Sequence, residues 1–159
     1  MYSISTAHPA DAALIHEIKM RAFAEEGRLS ESTDIPPLTE TVSAIESEIR
    51  TQTVLVARDA ERIVGSARGI VTDTLLNICT IRAVFVDPGF QGLGIGAALL
   101  HSIESAHPNV ARFVLTTSTL VPGNVAFYER HGYRVTELTK YNEKIALAQM
   151  CKDVSVSVA

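Results

Sequence analysis

The residues whose types and spacing point most clearly to ligand binding are three glycines at alternate positions. They are Gly92, Gly94 and Gly96, and they follow directly after Gln91. Glycine has no Cβ, so the backbone N–H groups of such a turn can point together at one ligand. The segment that follows has helical composition, and a helix beginning there adds its unpaired N–H groups and the positive end of its dipole. Together these features predict that residues 91–97 bind a phosphorylated ligand, most simply a pyrophosphate.

Two widespread phosphate-binding patterns do not fit this turn. A Rossmann site has the pattern G-x-G-x-x-G close after an early strand, with an acidic residue about 20 positions further on. Here the pattern is G-x-G-x-G, the preceding strand lies in mid-chain, and the next strand, 112–118, ends without an acidic residue. A P-loop places Lys and then Ser or Thr after its last glycine. Gly96 is followed by Ala97 and Ala98, so both hypotheses are rejected.

A second candidate segment lies nearer the C-terminus, at residues 122–133. Its composition predicts a short helix with Gly132 as the residue that ends it. Asn124 and Tyr128 are four positions apart, which puts both side chains on one face of that helix. Tyr128 has a polar tip that can act in chemistry, but simple packing of a half-buried tyrosine stays open as an alternative.

The two segments resemble the GNAT superfamily of acetyl-CoA-dependent N-acetyltransferases. The superfamily's pyrophosphate motif, [QR]-x-x-G-x-[GA], is matched from Gln91 to Gly96, and it follows a strand that ends in a V-x-P-like break at residues 86–88. The second segment is similar to the superfamily's C-terminal helical element. The corresponding residues are Asn124, Ala126, Phe127, Tyr128, Gly132 and Tyr133.

The resemblance implies that acetyl-CoA, as co-substrate, lies between two splayed parallel strands. Its pantetheine amides would pair with the backbone of one strand as an added strand does. Its pyrophosphate would sit on the amides of the glycine turn, and Asn124 would contact the pantetheine arm or a backbone carbonyl near it. The cofactor-binding residues implied are Val84, Phe85, Val86, Gln91, Gly92, Leu93, Gly94, Ile95, Gly96, Ala97, Asn124 and Tyr128.

The implied chemistry is direct attack of a neutral primary amine on the thioester, within a ternary complex. Tyr128 would be the catalytic acid that protonates the departing thiolate, since a phenol pKa of about 10 is close to a thiol pKa of about 8.5. A backbone N–H at a strand bulge near Val86 is the expected oxyanion donor. Many members carry a glutamate base in this strand, but residues 79–83 contain no carboxylate, so the base stays unassigned.

Several alternatives stay open at this stage. A GNAT domain could bind acyl-CoA as a sensor without turnover, although the retained Tyr128 favours catalysis. The acyl group could be other than acetyl, and a nucleotide-binding module is a more distant hypothesis. The acceptor could be a small molecule or a protein terminus, because these residues do not choose between them.

The order of predicted elements indicates a mixed α/β fold. Strands over 53–58, 63–72 and 75–86 form an antiparallel meander, and a strand–helix–strand unit follows it. By the crossover rule the strand 112–118 lies parallel to the strand that ends at Val86. We therefore expect a GNAT-like, mostly antiparallel sheet of six to seven strands, with one splayed parallel pair and about four flanking helices.

Further element boundaries follow from local signals. Asp11 is the expected N-cap of the first helix, which Gly27 should end, and a second helix is expected from Thr39 to Arg50. Strands over 133–138 and 144–151 should form a C-terminal hairpin. His16 and Lys19 are predicted on the solvated face of the first helix. Acidic side chains between the two helices are predicted to form a solvated polar loop, at Glu25, Glu26, Glu31 and Asp34.

Composition places the chain among ordinary globular proteins. The 159 residues are 47% hydrophobic and 20% charged, which suits one domain over residues 1–159, with 152–159 as a tail that is either flexible or extended. A net charge of −4 disfavours nucleic-acid and membrane partners. No metal-ligand spacing is evident, and a homodimer stays open. The N-terminal segment lacks signal-peptide features, and the two cysteines lack CxxC spacing, so we expect a cytoplasmic protein with free thiols.

Overall fold

The computed structural model describes residues 2–30, 36–140, 143 and 146–154. Seven strands and five α-helices form in this part of the chain. The strands are β1 (Tyr2–Thr6), β2 (Thr53–Asp59), β3 (Arg62–Asp73), β4 (Ile78–Val86), β5 (Arg112–Ser118), β6 (Arg134–Lys140) and β7 (Ala146–Asp153). The helices are α1 (Ala12–Ser30), α2 (Pro36–Thr39), α3 (Val42–Thr51), α4 (Ile95–Ala106) and α5 (Asn124–Arg130).

All seven strands belong to one sheet in the order β1-β2-β3-β4-β5-β7-β6. Every neighbouring pair is antiparallel except β4 and β5, which are joined through α4 and run parallel. A parallel pair needs a crossover of this kind, whereas consecutive antiparallel strands such as β2 and β3 can be joined by a short turn. The predicted mixed α/β fold, with a mostly antiparallel sheet and one parallel pair, is confirmed.

Two hydrophobic cores form, one on each face of the sheet. On one face α4 buries Leu99 and Ile103 at helical spacing against the central strands. On the other face α1 and α3 bury Ile15 and Ile45 against β2 and β3. Because both faces are covered, the central strands β2 and β3 are buried along most of their length.

The parallel pair separates soon after it begins. Residues of β4 and β5 pair only from Ile78 with Arg112 to Thr80 with Val114. Beyond that point β5 continues to pair with β7 on its other side, while β4 continues to pair with β3. In the described part of the chain, no strand covers the β5-facing edge of β4 after Thr80, so the sheet opens there into a cleft.

Several predicted boundaries are wrong at helix ends. Helix α1 continues through Gly27 to Ser30, since one glycine in a helix costs only about 1 kcal/mol. Asp11 lies in a 3₁₀ turn, where its carboxylate accepts the His8 backbone N–H at 2.8 Å instead of capping α1. The second predicted helix is split, and Thr41 is the N-cap of α3, since its Oγ1 accepts a hydrogen bond from the backbone N–H at position 44.

The C-terminal strands are shifted by one or two residues from the predicted hairpin. Strand β6 begins after Tyr133, and β7 includes Lys152 and Asp153. Residues 155–159 lie outside the described part of the chain, as does most of the connection between β6 and β7. None of the described helices is both long and apolar enough to cross a membrane.

Candidate active site

The predicted phosphate-binding turn lies between β4 and α4. Asp87 stabilises the 3₁₀ turn that leads into it, because its Oδ1 accepts a hydrogen bond from the Gly89 backbone N–H at 3.1 Å. Gly92 and Gly94 follow with φ angles of +79° and +81°, a left-handed conformation in which residues with a Cβ are strained. No atom lies within 4 Å of where a Cβ would sit on either one, so conformation and not crowding requires glycine there.

A cleft of about 980 Å³ occupies the opening between the separated strands. It runs from the start of α4 past the exposed edge of β4 to α1 and the residues before α3. Many of the predicted cofactor-binding residues line it together: Val84, Phe85, Val86, Gln91, Gly96, Asn124 and Tyr128. The other five predicted residues are not among those that line it. Gly92, Leu93 and Gly94 are exposed beside the α4 N-terminus, Ile95 is buried, and Ala97 is half-buried.

Helix α5 supplies Tyr128 and Asn124 to one wall of the cleft. The Asn124 side chain donates to the Ser118 backbone carbonyl at 3.3 Å, which ties α5 to the end of β5. The Tyr128 ring packs edge-on against Phe127, with ring centroids 5.0 Å apart, while its hydroxyl makes no hydrogen bond to any described residue. Burial raises the pKa of Tyr128 to about 12, so its phenol is protonated at every physiological pH.

A bulge interrupts β4 where it borders the cleft. The register between β3 and β4 shifts between Ser66 and Arg68, so that β4 carries one extra residue there. Ala83 has a φ angle of +49°, an unusual value for a residue with a Cβ. The bulge therefore lies immediately before Val84, a few residues ahead of Val86, near which it was predicted.

The far end of the cleft holds a charged cluster that was not predicted. Lys19 was expected on a solvated face, but its side chain is only 1% exposed, and its Nζ lies 2.5 Å from Glu40 Oε1. Arg68, in the middle of β3, is fully buried, and its guanidinium donates hydrogen bonds to both oxygens of Glu40, at 2.7 and 2.8 Å. Lys19, Glu40 and Arg68 all line the cleft. An arginine within the otherwise small and apolar strand 63–71 was the available sequence signal.

Two more residues complete this cluster. Glu48 of α3 accepts from Arg68 Nη1 at 3.2 Å, and Arg82 of β4 lies 3.7 Å from Glu48 and 4.0 Å from Glu40. We call these five residues, Lys19, Glu40, Glu48, Arg68 and Arg82, the charge cluster.

Burial and pairing set the protonation of the charge cluster. Desolvation opposes ionisation of Glu40, but its hydrogen bonds to Arg68 and Lys19 outweigh that and lower its pKa to about 2. Desolvation also lowers the pKa of Lys19, against the effect of Glu40. A carboxylate with such a low pKa is a poor proton acceptor.

Neither cysteine is placed for nucleophilic catalysis. Cys79 and Cys151 are buried free thiols, and burial raises the pKa of Cys79 to about 11. A thiol with so high a pKa is rarely ionised and therefore unreactive. Of the loop acidic residues discussed above, Glu31 and Asp34 lie outside the described residues, as do the side chains of Glu25 and Glu26.

Comparisons with known proteins agree with this geometry. A family model described as acetyltransferase (GNAT) domain matches residues 50–135, more than half of the 159 residues. These residues run from the end of α3 to the start of β6, and so include the glycine turn and α5. A search of curated protein sequences finds no match.

Solved structures with the same fold are numerous, and three of them illustrate the likeness. The ribosomal-protein-S18-alanine N-acetyltransferase from Escherichia coli has a TM-score of 0.77 at 19% identity, over 100% of this chain and 96% of that one. The acetyltransferase yncA from Salmonella typhimurium, solved with acetyl-CoA, has a TM-score of 0.76 at 18% identity, over 100% and 97%. The PaiA N-acetyltransferase from Thermoplasma acidophilum, solved with coenzyme A, has a TM-score of 0.71 at 14% identity, over 97% and 99%.

Proposed function

The chain belongs to the GNAT superfamily of acetyltransferases, and on that premise we propose that it transfers an acetyl group from acetyl-CoA to a primary amine. The observation that supports this function best is the separation of β4 from β5 after Thr80. It leaves the edge of β4 free over residues 81–86, with a glycine turn at one end of the cleft and a phenol on its wall.

Acetyl-CoA is the proposed co-substrate. The pantetheine amides would pair with the free edge of β4 at Val84, Phe85 and Val86, where main-chain hydrogen bonds hold a ligand whatever the side chains are. The pyrophosphate would be bound by backbone amides of residues 91–97 and by the positive end of the α4 dipole. Acetyl-CoA and coenzyme A in the structures of the Salmonella and Thermoplasma acidophilum proteins support this choice.

The proposed reaction is direct attack of the amine nitrogen on the thioester carbonyl. A C–N bond forms, the C–S bond breaks, and the thiolate that leaves takes a proton from the Tyr128 hydroxyl, which regains a proton from water. Before collapse, the carbonyl oxygen carries negative charge, and a backbone N–H released by the bulge before Val84 is the proposed donor to it.

The proton on the amine needs another acceptor. The described carboxylate that lines the cleft is Glu40, whose low pKa makes it unsuitable. We therefore assign no side chain as base and propose that water carries this proton away. Two buried free thiols, Cys79 and Cys151, support a reducing, cytoplasmic location.

The first test of this function is ligand binding coupled to turnover. We expect acetyl-CoA at about 100 times its Kd to raise the Tm by roughly 5–10 °C, because binding to the folded state alone adds about 2.7 kcal/mol of stability. NAD and ATP should produce no shift. Free-thiol release should then appear with at least one amine of a broad panel. A Tm shift without any thiol release would indicate a binding domain without turnover, and no shift would contradict the proposal altogether.

A substitution in the glycine turn tests where the pyrophosphate binds. Gly94→Ala should weaken acetyl-CoA binding at least about 10-fold, because a Cβ is strained at a φ of +81° and the turn must rearrange. The matched control is Gly89→Ala, three residues after Val86, where only Asp87 Oδ1 lies within 4 Å of the added methyl group. Titration of acetyl-CoA by fluorescence or calorimetry measures both. Equal affinities in the two variants would remove the turn from the binding site.

A further inference from the structure

Arg82 is the cation of the charge cluster that makes no hydrogen bond within the described part of the chain. Arg82 lines the cleft and its side chain is 50% exposed. Its guanidinium is no closer than 3.7 Å to Glu48 and 4.0 Å to Glu40, so it makes no hydrogen bond to either, or to any other described residue. Arginine has five donors in a planar fork that matches a carboxylate, and it stays charged at every working pH.

Three of the four carboxylate oxygens near Arg82 already accept hydrogen bonds from Arg68 or Lys19. Both oxygens of Glu40 accept from Arg68, and one of them also accepts from Lys19. Glu48 Oε2 accepts from Arg68, while Glu48 Oε1 is buried and has no hydrogen bond to a described residue. Within the same described part of the chain, the Nε atom of Arg68 also lacks a partner, so the two carboxylates leave a donor of this cluster unsatisfied. Among its five described residues, three cations and two carboxylates give the charge cluster an excess of positive charge.

We propose that the amine acceptor also carries a carboxylate on the same molecule, as an amino acid does, and that Arg82 binds this carboxylate. The inference rests on the acetyltransferase function proposed above and names the class of acceptor. A purely cationic acceptor, such as a polyamine, would meet the excess positive charge of the cluster instead of a free carboxylate.

The position of Arg82 limits the size of the acceptor. It precedes Val84, the first residue of the proposed pantetheine-binding segment, by two residues of the same strand. Two residues of a strand span roughly 7 Å. If Arg82 binds the carboxylate of the acceptor, an amine separated from that carboxylate by only a few bonds lies next to the thioester. This distance favours a small amino acid over a long diamine.

The test compares each amino acid with its own α-amide, which keeps the amine and the side chain but lacks the negative charge. We expect at least one amino acid to be acetylated with a kcat/KM roughly 10- to 100-fold above that of its amide, because hydrogen bonds between charged groups are the strong ones. The amine of an amide is less basic and more often neutral, so chemistry alone would favour the amide.

Variants of Arg82 assign this preference to one side chain. Arg82→Gln should bring the acid-to-amide ratio of kcat/KM close to one, and Arg82→Glu should invert it. Arg50→Gln is the matched control, since Arg50 is a similarly exposed arginine on α3 that pairs with Glu46 and does not line the cleft. Because Arg82 is half exposed, raising the salt concentration should reduce the ratio in the wild type but not in Arg82→Gln.

Failure of this inference differs from failure of the proposed function. If the protein acetylates putrescine or spermidine better than every amino acid, or acid and amide equally, the function stands and the carboxylate assignment is overturned. If no amine is acetylated, the function fails. In that case, the Tm of the CoA-loaded protein is measured with the amino acid and with its amide. Equal Tm shifts, or no shift with either, overturn the carboxylate assignment as well.

Discussion

Replacing Tyr128 by phenylalanine is expected to lower kcat about 100-fold or more, while the KM for acetyl-CoA changes by less than about threefold. The substitution keeps the ring, which packs edge-on against Phe127 on the wall of the cleft. It removes only a hydroxyl that makes no hydrogen bond to any described residue, so none of the hydrogen bonds in that part of the chain is lost. Steady-state kinetics with thiol detection separates the two constants.

The raised pKa of Tyr128 does not weaken this expectation. Burial raises the pKa of Tyr128 to about 12, above the value of about 8.5 of a thiol in water. A thiolate that forms in the same desolvated cleft is destabilised by the same cause, so its proton affinity rises as well. Proton transfer from Tyr128 to the thiolate is therefore less unfavourable than a comparison of a pKa of about 12 with one of about 8.5 suggests. No loss of activity from ionisation of Tyr128 should appear below about pH 11.

Tyr133→Phe is the matched control for this substitution. Its ring lies 5.9 Å from that of Tyr128, but its hydroxyl donates to Glu104 at 2.7 Å and is not among the groups that line the cleft. We expect a modest fall in Tm, of the size of one lost hydrogen bond, with kcat little changed. If Tyr128→Phe behaved like Tyr133→Phe, Tyr128 would have no role as acid, although the family assignment would stand.

The parts of the fold that were predictable from sequence have local signals. The glycine turn and the limits of α4 follow from residue types within about fifteen positions, since Pro108 disfavours continuation of the helix beyond Ala106. The parallel pairing of β4 and β5 follows from the crossover rule once the helix between them is recognised. The opening of that pair was implied only by the family resemblance, because nothing in either strand marks the point where pairing stops.

The charge cluster was missed because its partners are far apart in the chain. Lys19 lies in α1, Glu40 in the short connection before α3, and Arg68 in β3, and the first two are ordinary in their own segments. The helical spacing of α1 places Lys19 beside the residues of its apolar face as well as near polar ones, so spacing alone does not decide its burial. Arg68 was the exception, since a charged residue within a buried strand requires a partner.

The bulge in β4 lies a few residues earlier than Val86, near which it was predicted, for a similar reason. Its position depends on register with β3, and the shift lies between Ser66 and Arg68 of that strand. A sequence shows a bulge only when glycine or proline marks it, and here Ala83 adopts the unusual φ angle. The consequence for the site is direct, since the bulge lies between Arg82 and the proposed cofactor-pairing segment that begins at Val84.

Substituting Glu40 is expected to have the largest effect on stability. Glu40→Gln removes the negative charge that Lys19 and Arg68 share, although both of these cations are buried almost completely. Breaking a buried ion pair by removing one partner costs about 3–5 kcal/mol, because an uncompensated charge stays inside the protein. For a domain of this size the Tm should fall by roughly 10 °C or more. Thermal and urea unfolding at pH 7 measure the change.

The same pair makes stability depend on pH in a defined direction. The pKa of Glu40 is about 2 in the folded protein and about 4.5 when unpaired, so the unfolded chain takes up its proton first as the pH falls. The stabilisation from Glu40 is complete above pH 4.5 and is lost as the pH falls from there towards 2. The difference in free energy of unfolding between wild type and Glu40→Gln should therefore shrink over that range, whereas a merely steric effect of glutamine would not vary with pH.

Glu46→Gln is the matched control, because it removes one negative charge from an exposed ion pair instead of a buried one. Glu46 pairs with Arg50 one helical turn away on α3, and both side chains are about half exposed, at 46% and 60%. Such a pair contributes only about 0.3–0.5 kcal/mol, so Glu46→Gln should unfold within about 2 °C of the wild type. If Glu40→Gln proved equally mild, Lys19 and Arg68 could not be the buried, dependent cations described above. The excess of positive charge that directs an acidic acceptor to Arg82 would then lose its structural basis.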